Sequence, residues 1–101
     1  MAPSRGQLHD DIPIPDLERI FGQLLYSHRR AKGLSQEELG LRTDLARPYI
    51  SRLERGLQLP TLRTLFLLAK ELEIPAWELI RMVEEKVNRA TETRLHPHRY
   101  E

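Results

Sequence analysis

Apolar residues recur at helical spacing through five consecutive segments of this chain, and no stretch alternates with the period of two that marks a half-buried strand. Leu17, Ile20, Phe21, Leu24, Leu25 and His28 form the first stripe, with Asp16 placed to cap its start and Gly33 to end it. A second helix opens at Ser35, where Ser35 and Glu38 form an S-x-x-E capping box flanked by Leu34 and Leu39 as a hydrophobic staple. It runs to about Thr43. Asp44 follows in the turn, where a left-handed conformation is often needed and Asp tolerates it better than most residues.

The third helix spans Arg47 to Arg55, with Pro48 in its first turn, where a missing N–H costs nothing, and Gly56 beyond it. Thr61 caps a fourth, whose apolar side is read as Leu62, Leu65, Phe66, Leu68, Ala69 and Leu72. Pro75 starts a fifth, carrying Trp77, Leu79, Ile80, Met82, Val83 and Val87. Trp77 is expected in the core. The apolar content fades after Val87. These elements predict an all-α, compact five-helix domain over residues 16–90, between flexible tails at 1–15 and 91–101.

Composition narrows the class. A chain of 101 residues with 40% hydrophobic and 31% charged residues suits one ordinary folded domain. It contains no cysteine, which excludes disulfides and thiolate metal sites and suits a cytoplasmic protein. No apolar run is long enough to span a membrane, and the first fifteen residues lack a signal-peptide core. His96-Pro97-His98, with His9 and His28 elsewhere, makes no convincing metal set, so no metal or cofactor is expected. Ser35 and Ser51 have no matching His–Asp arrangement and no glycine-rich phosphate loop is present, which argues against an enzyme.

The net charge is only +1, but from Arg29 to Arg63 eight basic residues stand against four acidic ones. That basic stretch coincides with the second and third helices, QEELGLRTDLARPYISRLERG at residues 36–56. Two short helices joined by a tight turn within a basic surface point to a helix-turn-helix and to double-stranded DNA as partner.

On Gln36, Leu39, Leu45, Ile50, Ser51, Glu54 and Gly56, in matching register, the chain resembles the phage repressor and Cro family, also called the xenobiotic response element family. Gly40 stands where that family usually has Ala, and Asp44 where it usually has Gly. The resemblance implies a lambda-repressor-like fold. It also implies that Gln36 holds a phosphate at the start of the second helix, and that Glu54 pairs with Arg29. Arg47, at the start of the reading helix, is the leading base reader, suited to guanine O6 and N7. Arg52 is placed to read a further base or a phosphate. Ser51 is short enough to reach a base edge, Tyr49 to meet a thymine methyl, sugar or phosphate, and Pro48 to give apolar contact. Arg42, Arg55 and Arg63 are phosphate candidates.

One such unit reads only a few base pairs, so a homodimer on a palindromic site is expected, with Ala76, Leu79, Val83 and Val87 as its interface. The family's restriction–modification controllers dimerise through this region, and their reading helix tends to carry Arg-x-Tyr-Ile-Ser, as residues 47–51 do. The expected function is a sequence-specific repressor or autoregulator. The alternative is a protein-binding module, such as an antitoxin gripping a toxin or a factor touching RNA polymerase.

Overall fold

The computed structural model describes residues 16–95. Five helices follow in order: α1 Leu17–Ala31, α2 Gln36–Thr43, α3 Arg47–Glu54, α4 Leu62–Glu71 and α5 Ala76–Leu95. No strand occurs among the described residues. α1 packs on α3 and α5, α2 on α3 and α4, and α4 on α5. Every helix contributes to one core, whose fully buried centre is Leu25, Leu39, Ile50, Leu53, Leu68 and Leu79.

Local chemistry at the helix ends explains why the chain turns where it does. At the end of α1, the Gly33 N–H donates to the Arg30 carbonyl at 3.0 Å and the Leu34 N–H to the Arg29 carbonyl at 3.2 Å. This is a Schellman closure with Gly33 at positive φ. α3 ends the same way, Gly56 N–H donating to Leu53 and Leu57 N–H to Arg52. Thr61 caps α4 through the Thr64 N–H. Asp16 does occupy the position before α1, but at φ 54° its side chain makes no capping bond. A capping side chain needs the extended backbone that Ser35 and Thr61 have and Asp16 lacks.

Three expectations about which side faces inward are corrected. Leu79, expected at a dimer interface, is 1% exposed and belongs to the core, whereas Trp77, expected in the core, is 67% exposed. One fact explains both, because two residues correspond to about 200° around a helix, so Leu79 inward sends Trp77 outward. On α4 and its C-cap, Leu65, Leu68 and Leu72 take the inward side, leaving Leu62 and Phe66 exposed. Ala76 and Val83 pack partly against the core, and Val87 is half-buried.

α5 also continues to Leu95, past the expected end of the folded domain. No Gly or Pro interrupts it, its later residues include good helix formers, and Arg81 pairs with Glu78 and Glu85 along one face. Residues 1–15 and the His96-Pro97-His98 stretch lie outside the described residues.

Candidate nucleic-acid interface

The α2–turn–α3 unit is built from short-range bonds. Ser35 Oγ accepts from the Glu38 N–H at 3.0 Å, and the Ser35 N–H donates to Glu38 Oε1 at 2.9 Å. Hydrogen bonding from the Ser35 backbone N–H, then from the Ser35 side chain, and last the charge of Arg42 hold the Glu38 carboxyl below its ordinary pKa. Leu34 and Leu39 are both buried, as a staple requires. In the turn, Asp44 adopts φ 60° and the Leu45 N–H donates to the Gly40 carbonyl at 3.1 Å. A Cβ on Gly40 would stand 2.6 Å from the Leu45 oxygen, so this turn closes too tightly for the family's usual alanine.

α3 divides cleanly into two faces. Ile50 and Leu53 are fully buried, while Arg47, Pro48, Arg52 and Arg55 are exposed and Ser51 is half-buried. Arg47 has no hydrogen bond or ion pair among the described residues. Arg52 Nε donates to Gln58 Oε1 at 2.9 Å, and its guanidinium lies 5.9 Å from the centre of the Tyr49 ring. Arg55 Nε donates to Ser51 Oγ at 3.2 Å. Tyr49 is half-buried. It packs against the core, and its hydroxyl lies 3.5 Å from Thr64 Oγ1 on α4.

Behind this face, one carboxylate ties three helices together. Glu54 Oε2 accepts from Arg29 Nε at 2.6 Å, and Glu54 Oε1 accepts from both Arg29 Nη2 and Gln36 Nε2 at 2.9 Å. Arg29 Nη1 also donates to the Leu34 carbonyl at 2.8 Å, bracing the α1–α2 turn. The two charged side chains are 7% and 4% exposed. Hydrogen bonding to Glu54 raises the Arg29 pKa despite the opposing effect of burial. Gln36 is therefore already engaged, yet an amide nitrogen has two N–H groups and one remains.

The basic residues do not all converge. Arg47 shares a surface depression with Ser35, Gln36 and Glu37 at the start of α2. Arg42 lines a different one with Lys32, Lys70, Glu71 and Glu73, and Lys32 is itself paired with Glu73. Arg63 is exposed in the first turn of α4. No group of three or more metal-binding side chains occurs among the described residues, and no helix is long and apolar enough to cross a membrane.

Two contributors escape a reading of the sequence. A Cβ on Gly22 would stand 2.4 Å from the Leu53 carbonyl oxygen and 2.7 Å from that of Glu54. Gly22 thus lets α1 lie directly against the end of α3. A glycine inside an apolar-periodic helix, which costs about 1 kcal/mol in propensity, was the available signal. Gln58, in the loop after α3, carries none.

Two short helices at this geometry, the second with a basic outer face, define a helix-turn-helix domain. A family model described as helix-turn-helix matches residues 25–76, and the chain belongs to that family of DNA-binding transcription regulators, which are not enzymes. It is 39% identical over 70 residues to the uncharacterized HTH-type transcriptional regulator y4dJ of Sinorhizobium fredii, covering 69% of this chain and 91% of that one. It is 37% identical over 70 residues to the control protein C.SmaI of Serratia marcescens, covering 69% and 83%. Among solved structures, it is similar to the restriction–modification controller protein C.Esp1396I, a tetramer in complex with its natural 35 base-pair operator. That match has 30% identity, a TM-score of 0.62, and covers 70% of this chain and 93% of the other.

Proposed function

We propose that this chain is a sequence-specific regulator of the controller type, acting in the cytoplasm as a homodimer on a palindromic operator. It represses or autoregulates by laying α3 in the major groove, and it needs no cofactor. The observation that carries this reading is the outward side of α3 and its C-cap, where Arg47, Arg52 and Arg55 are all exposed while Ile50 and Leu53 are buried. Arg47 is the main base reader, with Pro48, the rim of Tyr49 and Ser51 beside it. The remaining Gln36 N–H and the free backbone amides at the start of α2 hold a phosphate oxygen. Arg55 adds backbone affinity from one end of α3, and Arg42 and Arg63 from its flanks. The operator complex of C.Esp1396I supports the DNA reading.

The dimer forms through α5. With Leu79 committed to the core, the surface available there is Trp77 and Ile80, which are 67% and 45% exposed, together with the half-buried Ala76, Val83 and Val87. Large exposed apolar side chains of this kind mark association surfaces when they cluster.

The test is enrichment from a pool of random duplexes, followed by affinity measurements with Arg47→Ala in parallel. The expected result is a palindrome with half-sites about 34 Å apart. Arg47→Ala should lose about 1–3 kcal/mol of discrimination at one base pair. Salt-sensitive binding without enrichment would refute the reading and favour a protein partner, such as a toxin or RNA polymerase.

A further inference from the structure

The three outward arginines of α3 and its C-cap are held differently, and the difference concerns what each can touch. Arg47 is unpartnered among the described residues. Arg55 has its Nε committed to Ser51. Arg52 is held from two sides, with Nε donating to Gln58 Oε1 and the guanidinium beside the Tyr49 ring. Tyr49 is itself anchored, since it packs against the core. Gln58 is half-buried and stands two residues beyond Gly56. The Leu57 N–H donates to the Arg52 carbonyl at 3.0 Å, so the loop folds back over the turn that carries Arg52.

A guanidinium offers two bidentate edges, one through Nε and one Nη, the other through both Nη atoms. Gln58 occupies the first. The free end presents two parallel N–H donors, the geometry that matches guanine O6 and N7. We propose that Gln58 is a positioning residue that aims the free end of Arg52 at a guanine. The Arg52–Gln58 pair is then a second determinant of sequence specificity, half of it supplied from outside the helix-turn-helix. This rests on the DNA-binding reading above. Prior ordering of one long side chain is worth about three- to tenfold in an equilibrium constant.

The experiment uses the full chain, the enriched operator and every single base-pair variant of one half-site, at one salt concentration. Arg52→Ala should flatten the preference at one G·C pair by about tenfold or more. Gln58→Ala should reduce the same preference about three- to tenfold without changing the melting temperature. Gln58→Glu keeps the accepting oxygen and should retain the preference ratio, even as its charge weakens binding to all duplexes alike. In the free protein, the Arg52 Nε–H should give a slowly exchanging NMR signal in the wild type and in Gln58→Glu, and lose that protection in Gln58→Ala.

An unchanged preference ratio in Gln58→Ala would overturn the proposal. So would an Arg52→Ala variant that weakens all duplexes equally and lowers the salt slope by about one, the signature of a phosphate contact. A wild type that selects no sequence overturns the functional reading and this inference with it. Selection that depends on Arg47 but is untouched by Gln58→Ala overturns this inference alone.

Discussion

Removing the Arg29 side chain should destabilise the domain far more than the loss of a surface ion pair would. An exposed pair contributes about 0–1 kcal/mol. With side chains 7% and 4% exposed, Arg29 and Glu54 belong to the buried regime, where removal of one partner costs about 3–5 kcal/mol. Arg29→Ala deletes both hydrogen bonds to Glu54 and the donor to the Leu34 carbonyl. Among the described residues, the Glu54 carboxylate then keeps only Gln36. That surviving bond argues for the lower end, about 3 kcal/mol. For a domain of this size, about 4–8 °C of melting temperature corresponds to each kcal/mol, so the expected fall is roughly 12–24 °C.

Thermal melts followed by circular dichroism at neutral pH would measure it. A fall below about 3 °C would refute the reasoning, because it would mean the pair behaves as a solvated one. Arg29→Ala/Glu54→Ala tests the cause. If the cost lies in a stranded carboxylate, the double variant should be clearly more stable than the two single losses added together. The pair should also survive any accessible alkaline pH. Arg29 has a raised folded-state pKa, so its contribution is complete below its ordinary value and lost only as pH rises through the raised one.

Gly22→Ala should destabilise despite its better helix propensity, because the new Cβ meets the Leu53 and Glu54 carbonyls rather than a movable side chain. A melting temperature equal to or above the wild type's would count against that close approach. Glu38→Gln keeps an acceptor for the Ser35 N–H but cannot titrate. Since the Glu38 pKa is lowered in the folded state, its advantage over Gln should hold above the ordinary value of 4.5 and shrink as pH falls through the lowered one. A stability difference independent of pH between about 6 and about 3 would contradict this. Trp77→Glu should shift the sedimentation profile from dimer to monomer with little change in helicity. A dimer that persists would move the interface elsewhere.

Helix ends were the most legible part of the sequence because their causes are local. Ser35 and Glu38 lie three residues apart, and Gly33 and Gly56 adopt their turns from their own chemistry. The inward side of α4 and α5 was not legible in the same way. Phe66 and Trp77 are as apolar as Leu65 and Leu79, and periodicity finds an apolar sector without saying which edge of it another helix will cover. For the candidate site, Arg47 and Arg52 on the outer face of α3 follow from the position of Ile50 and Leu53. The Gln36–Glu54 bond does not follow from sequence, because it joins segments that only tertiary packing brings together, and the Arg52–Gln58 bond depends on the path the loop takes beyond Gly56.

Glu54 concentrates two properties that Arg47 keeps apart. It is the last residue of α3, it binds Arg29 from α1, and it binds Gln36, the proposed phosphate holder, from α2. A change at Glu54 must alter the seating of α3 and the aim of Gln36 together. Stability and operator affinity will therefore fall in step across a Glu54 series. Arg47 is exposed and unpartnered among the described residues, so its removal strands no group there, and Arg47→Ala should reduce affinity at constant melting temperature. Plotting affinity against melting temperature for the two series separates them. Glu54 variants should lie on a slope and Arg47 variants on a vertical line. Glu54 variants that lose stability but keep full affinity would show that Gln36 holds its phosphate without help from the carboxylate.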